Sequence, residues 1–345
     1  MPPWTITKIA HVLRRLLDGG PLRRPLGWFP LPRPVVKQKL NRCVQSSHGW
    51  TVVEVVIVVI LIGILLALLL PALQSARESQ RLALCTHKMQ RLIAAVHSYE
   101  MAEQRFPPGT INDTGPIENL PRGKHIGWIA RLLPNIDQQV AYDNLDLSAS
   151  AYAPVNYTTR QLTIAALICP ADVNLMMGLS SYTASHHDRE APIASDNNGV
   201  FFLNDSLSYD DLQDGAAYTI FLSEKCTDVL RDLGWLSGTP GTLRNAGLAL
   251  SHQRYQTGVD ASVAPWLEIN AVEEGNPDLL ACRLKGGNPK EPFYVGGFGS
   301  YHVSGANFAM GNGAVKFLTD DISMKLLSQL ANRYDGKVVS AEQDP

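Results

Sequence analysis

The 345-residue chain contains no G-x-S-x-G, H-E-x-x-H, P-loop or G-x-G-x-x-G motif. Those gaps remove the hydrolase elbow, the zincin helix and the two common nucleotide cradles as readings. No nucleophile–base pair stands out either. The five cysteines, Cys43, Cys85, Cys169, Cys226 and Cys282, include no C-x-x-C pair, which weakens a zinc-ribbon or thioredoxin-type reading. Acidic residues are almost missing from residues 1–49, where Asp18 stands alone against nine Lys/Arg, a net +8; the whole chain is −2, so residues 50–345 carry −10. That acidic remainder argues against nucleic acid as a partner, because phosphate binding needs clustered Lys/Arg. Charge is missing altogether from residues 55–70.

What is present begins at that uncharged run. Gly49-Trp50-Thr51-Val52-Val53-Glu54 leads into it, and apolar character continues to Leu73. With residues 50–53 included, the segment approaches the ~20 residues that a spanning helix needs. The basic leader, residues 1–49, would then lie in the cytoplasm and the C-terminal bulk outside. A carboxylate inside hydrocarbon costs roughly 2.5–3.5 kcal/mol on insertion scales, so Glu54 is a functional candidate by default. A cleaved secretory signal fits poorly, since Gln74-Ser75-Ala76 is a weak cleavage site. A plain signal anchor explains the apolarity but not Gly49 followed five residues later by Glu54. The pattern resembles the processing site of type IV prepilins and type II secretion pseudopilins. That resemblance implies cleavage between Gly49 and Trp50, methylation of the Trp50 amine, and assembly through Glu54. The leader itself holds Pro2, Pro3, Pro21, Pro25, Pro30, Pro32 and Pro34, which leave little room for a long helix.

Beyond the apolar run, Leu82, Cys85, Met89, Leu92, Val96 and Tyr99 recur at spacings of three and four, an apolar stripe on one helical face. Arg77, Arg81, Lys88 and Arg91 fall off the stripe. One helix is therefore expected from about Trp50 to about Met101, on the order of 75 Å at ~1.5 Å per residue. Pro71 should kink it rather than end it, and Phe106-Pro107-Pro108-Gly109 should follow its end. Residues 106–345 read as an α+β domain of short elements. A short apolar piece is expected at 128–133 and a helix at 136–145 with Ile136, Val140 and Leu145 on one side. Residues 162–169 read as a strand or short helix, and 199–203 and 218–223 as strands. Residues 226–292 read as a loop-rich insertion anchored by Trp235 and Trp266. Asn312-Gly313 between apolar-rich segments predicts a hairpin. Asp320 is a candidate cap for a helix carrying Ile322, Leu326, Leu327 and Leu330, and 337–340 is a candidate edge strand.

Outside the cytoplasm, the last four cysteines could form two disulfides in three connectivities. Other chemistry reads as weak. His302 with Asn312 invites a catalytic or metal reading, but Asn suits a hairpin turn for steric reasons, since it tolerates φ > 0. His186-His187-Asp188 with Glu190 could bind a metal, but a solvated loop explains them about as well; Asp210-Asp211 with Asp214 could bind calcium, but Asp214-Gly215 also makes an ordinary turn. No catalytic residue, cofactor or metal is expected.

Taken together, several blocks resemble the DUF1559 proteins, which carry a prepilin-type N-terminal segment. The blocks are residues 50–81, Cys85 through Tyr99, Arg105-Phe106-Pro107-Pro108-Gly109, Gly127-Trp128, Leu133-Pro134, Gln138-Gln139 with Tyr142, Cys169-Pro170-Ala171-Asp172, Gly199-Val200-Phe201, Asp214-Gly215, Glu224, Gly299-Ser300-Tyr301-His302 and Asn312-Gly313. Trp50 departs from the usual phenylalanine, and Asn312 from the usual aspartate. The resemblance implies a pilin-like fold, a long N-terminal helix laid on an antiparallel sheet, and no established activity. His302, Asn312 and Gly313 are signature positions of undefined role, and Cys85 and Cys169 are the candidate disulfide pair. The expectation is a non-enzymatic, single-pass protein of the cytoplasmic membrane with its domain in the periplasm or cell envelope. Its partners would be the lipid bilayer, a prepilin peptidase and other pilin-like subunits. The rival expectation is a tethered extracytoplasmic binding module or hydrolase, with 226–292 as its recognition surface.

Overall fold

The computed structural model describes residues 51–172, 177–228, 231–252, 287–288 and 290–337. The leader, Gly49, Trp50, Cys43, Trp266, Cys282 and most of residues 337–340, expected as an edge strand, lie outside these residues. The chain divides into two units, Met1–Ile60 and Leu61–Pro345. Helix α1 (Val52–Glu103) runs without interruption through Pro71. All residues from 51 to 77 are exposed, and burial then sets in on one stripe at Cys85, Met89, Leu92, Ile93, Ala95 and Val96. It is the one helix among the described residues long and apolar enough to cross a membrane.

The domain is α+β. Two short strands, β1 (Thr110–Ile111) and β2 (Ile126–Gly127), pair antiparallel. The main sheet is formed by β3 (Tyr182–His187), β4 (Ile220–Glu224), β5 (Leu243–Asn245), β6 (Gly305–Met310) and β7 (Val315–Thr319). Their order is β5-β3-β4-β6-β7. The expectation of a purely antiparallel sheet is corrected here: β5 joins β3 in parallel, while every other neighbouring pair is antiparallel. Side chains alternate across β6, as the two-residue period of a strand requires. Ala306, Phe308 and Met310 join Ile220, Leu318, Leu327 and Leu330 in one apolar cluster. Ala309 joins the other cluster, with Met89, Leu92, Trp128, Phe201, Phe221 and Trp235, and Asn307 accepts a hydrogen bond from Thr86 of α1. The sheet thus has α1 over one face and α5 (Met324–Ala331) over the other.

Several local readings change. Residues 128–133 form α2 (Trp128–Leu132), which passes into a 3-10 turn, Leu133–Ile136. The following helix is only α3 (Gln139–Asp143), and Val140 is exposed while Ala141 is buried. A further short helix, α4 (Tyr157–Arg160), precedes the 3-10 turn Ala165–Leu167. Residues 199–203 are buried but form no strand; Gly199, Val200 and Phe201 donate to the carbonyls of His186 and Ser185 at the end of β3. The β6–β7 hairpin is present, but Gly313 (φ 88°), not Asn312, takes the left-handed conformation. Asn312 Oδ1 instead accepts from the amide of Ala314 at 3.0 Å. Ser323 rather than Asp320 caps α5, accepting from Leu326 N at 3.1 Å. A Ser at that position leaves one turn fewer in the helix than Asp320 would have given.

Candidate functional site around the Cys85–Cys169 bridge

Four segments far apart in sequence converge beneath α1. Cys85 points from the buried stripe of the helix and is disulfide-bonded to Cys169, with Cα atoms 5.5 Å apart. Cys169 follows the 3-10 turn Ala165–Leu167, and Lys88, one helical turn beyond Cys85, pins that turn by donating to the carbonyls of Ala165 (2.8 Å) and Ile168 (2.7 Å). Burial, with Arg91 adding like-charge repulsion, lowers the Lys88 pKa. The amide of Cys169 donates to Ser181 Oγ at 3.0 Å, and Ser181 donates to Asp172 at 2.8 Å. Thr227 also donates to Asp172, at 2.8 Å and 2.9 Å. The Cys-Pro-Ala-Asp run is therefore fastened at both ends.

His302 lies in the loop ahead of β6. Ser300 Oγ holds this loop by accepting from the amide of His302 at 3.0 Å and donating to Gly305 O. The imidazole Nδ1 lies 2.9 Å from Glu78 Oε1, on α1 two turns before Cys85. Its Nε2 lies 3.2 Å from Cys169 Sγ and 3.5 Å from Glu224 Oε1. Glu224 closes β4 and is 1% exposed; its Oε2 accepts from Asn307 N (2.8 Å) and Asn307 Nδ2 (3.2 Å), while its Oε1 is left to the longer contact with His302 Nε2. Burial by itself would lower the His302 pKa. Hydrogen bonding and negative charge from Glu224, then Glu78, outweigh it and raise the pKa above the usual value. When it carries a proton, the imidazole beside Cys169 Sγ makes that sulfur the better leaving thiolate in any exchange at this bond.

The other clusters are internally satisfied. The region of His186 and His187, expected as a solvated loop, is the fully buried strand β3. The two rings meet edge to face, with centroids 6.2 Å apart. His186 Nδ1 bonds Asn197 Oδ1 at 3.1 Å, and His187 Nδ1 bonds Asp188 at 2.7 Å. Glu190 accepts from the amides of Val295 and Gly296 and from Asn245. Asp211 forms a capping box with Ser208, and Asp214 accepts from the amides of Asp335 and Gly336. Asn312 and His302 share no partner: the amide of Asn312 donates to Ala216 O. Cys226 is a buried thiol. At the start of α1, Glu54 accepts from Thr51 N (2.8 Å) and Thr51 Oγ1 (3.1 Å), and Thr51 Oγ1 accepts from Glu54 N (3.2 Å). That reciprocal pair is a capping box, a signal legible as Thr51-x-x-Glu54 but absent from the sequence reading. Glu78 was likewise missed, because nothing local marks it.

One membrane-length helix leading into an α+β domain with a buried, histidine-flanked disulfide defines the class of protein. Residues 74–325 match the model of a family described as a protein of unknown function, DUF1559. The chain belongs to that family. Neither curated proteins nor solved structures give a match.

Proposed function

We propose that this chain is a non-enzymatic, pilin-like envelope protein. Its precursor is cut after Gly49 by a prepilin peptidase, the Trp50 amine is then open to methylation, and the mature chain stays in the cytoplasmic membrane through the first half of α1. The domain faces the periplasm or cell envelope. The observation that carries this reading is the change of character along a single helix: residues 51–77 are exposed and mostly apolar, while the turns from Cys85 onward bury a stripe in the domain. A helix that offers a bare apolar length beside a buried one suits insertion into lipid or among neighbouring copies. The net +8 of the leader sets the orientation, and a disulfide suits an oxidising compartment.

Glu54 is the assembly residue in this reading. Its carboxylate already accepts two hydrogen bonds from Thr51, which lowers the cost of holding it in an apolar setting until a neighbour's terminal amine pairs with it. Gly49→Ala should leave the unprocessed precursor on a denaturing gel, and a normal mature band in that variant refutes the processing step. Glu54→Leu should spare insertion but reduce crosslinked oligomers. Undiminished oligomers would count against Glu54 as the assembly residue.

A further inference from the structure

We propose that the dithiol form of the site under α1 is a closed binding site for one Zn²⁺ ion, held by Sγ of Cys85, Sγ of Cys169, Nε2 of His302 and Oε1 of Glu224. One ligand atom from each of these four residues already lies within 4.8 Å of the others, and all four residues are buried. Zinc bonds of about 2.0–2.3 Å place tetrahedral ligands about 3.3–3.8 Å apart, so the imidazole and carboxylate need only a small inward shift once the sulfurs part. Two thiolates, an imidazole and a carboxylate form a set that favours zinc over the hard cations, which prefer oxygen alone. Four protein ligands leave no open position, so the ion would be structural rather than catalytic.

Three further observations point the same way. Glu224 Oε1 is buried, and at 3.5 Å it meets His302 Nε2 without a close hydrogen bond. In the oxidised form that imidazole nitrogen is its polar neighbour, and a cation bound between the two would give it a direct bond. The Nδ1 of His302 is already engaged by Glu78 Oε1 at 2.9 Å, the carboxylate–histidine arrangement that leaves Nε2 to bind a metal. The remaining oxygen of Glu224 is fixed by Asn307, which is in turn held by Thr86 Oγ1 at 2.9 Å. Each prospective oxygen or nitrogen ligand thus has an outer partner that orients it.

The redox step balances with an external dithiol as reductant. Two electrons cleave the Cys85–Cys169 bond, the reductant closes to its own disulfide, and its two protons pass to the protein sulfurs. Zinc binding then releases those two thiol protons, and the Nε2 proton where His302 carries one. The same two points of the chain stay tied, first by a covalent bond and then by the ion.

The test uses the full-length chain in detergent. It is reduced anaerobically with a phosphine, freed of the phosphine, and equilibrated with Zn²⁺ or Co²⁺. Elemental analysis should find one zinc per reduced chain and none per oxidised chain. Zinc X-ray absorption on the reduced wild type should read two sulfur and two nitrogen or oxygen neighbours, and cobalt should give thiolate charge-transfer bands. Glu224→Gln and His302→Gln should each weaken zinc binding at least ~10-fold, and Glu78→Gln by about 10- to 100-fold. The proposal falls if the reduced chain, folded by circular dichroism, takes up no zinc. It falls equally if the absorption spectrum shows any other ligand set. Should reduction unfold the chain, recovery of the fold on adding zinc supports the site, and failure to recover overturns it. None of these readouts depends on processing at Gly49.

Discussion

Replacing both bridged cysteines tests how much of the fold hangs on closing one long loop. Cys85 and Cys169 are 84 residues apart. In the chain-entropy treatment, cross-linking across that interval removes about 15 cal/mol/K from the unfolded ensemble, or about 4.5 kcal/mol at 25 °C. Residual structure in the unfolded chain reduces the realised figure to about 2–4 kcal/mol. The packing loss on Cys→Ala is small beside this, because each side chain gives up one sulfur atom. For a domain of this size a loss of 1 kcal/mol lowers Tm by roughly 2–4 °C, so the double variant Cys85→Ala/Cys169→Ala should melt on the order of 10 °C lower. The assay is a thermal melt by circular dichroism in detergent, with a chelator present so that no ion replaces the bond. Peptide mapping under non-reducing conditions should recover the Cys85–Cys169 pair from the wild type. A double variant that melts within about 3 °C of the wild type, with tertiary signal intact, would refute the reasoning. The loop would then be held by its other contacts, Lys88 to Ala165 and Ile168 foremost.

Two buried polar groups give further expectations. His125 and His186 are kept neutral by burial, which brings their pKa values down to about 4 and about 3, with Arg122 repelling a charge on the first and His187 and Arg244 on the second. Because the folded values lie below the unfolded one, their contribution is complete above about pH 6.5 and is lost as pH falls toward 4 and then 3. Between about pH 5 and 6 the two together should steepen the loss of stability by about 2–3 kcal/mol per pH unit, and His125→Gln should roughly halve that slope in denaturant titrations. An unchanged slope would mean that His125 is protonated in the fold. Lys225 and Asp232 form an ion pair at 2.5 Å, with side chains 0% and 2% exposed. Lys225→Ala strands a buried carboxylate and should cost about 3–5 kcal/mol, while Lys225→Met with Asp232→Asn should cost less, because no charge remains unpaired. Equal losses in the two variants, read from unfolding midpoints, would count against this account.

The legible parts of the fold were those whose signal is local and apolar. The stripe from Cys85 to Val96 repeats at helical spacing, and α1 buries it. The Asn-Gly turn announces the β6–β7 hairpin. Strand β3 escaped notice because Tyr182-Thr183-Ala184-Ser185-His186-His187 is too polar to read as a buried strand. One of its polar side chains, His186, is accommodated by contacts to Asn197 and Asn245 from elsewhere in the chain. The reverse error fell on residues 199–203, whose Val and Phe content suggests a strand. Phe201 and Phe202 are fully buried there, packed against a strand end rather than paired in the ladder. The parallel placement of β5 depends on the long connection from β4, which no periodicity records. The site is the least legible part. Glu78, Cys85, Cys169, Glu224 and His302 are scattered over more than 200 residues, so their meeting is a property of topology and not of spacing.

The position of the bridge along α1 also has a mechanical consequence. Counting from the N-terminus, Cys85 is the first fully buried residue of the helix. Tension drawn along the apolar end would meet the covalent link before it could peel Met89, Leu92 or Val96 from the sheet, and the load would pass straight to Cys169. In single-molecule pulling from the N-terminus, the stretch between the two sulfurs should therefore add no contour length until a reductant is supplied. A longer oxidised extension would show that the helix strips away ahead of its rivet.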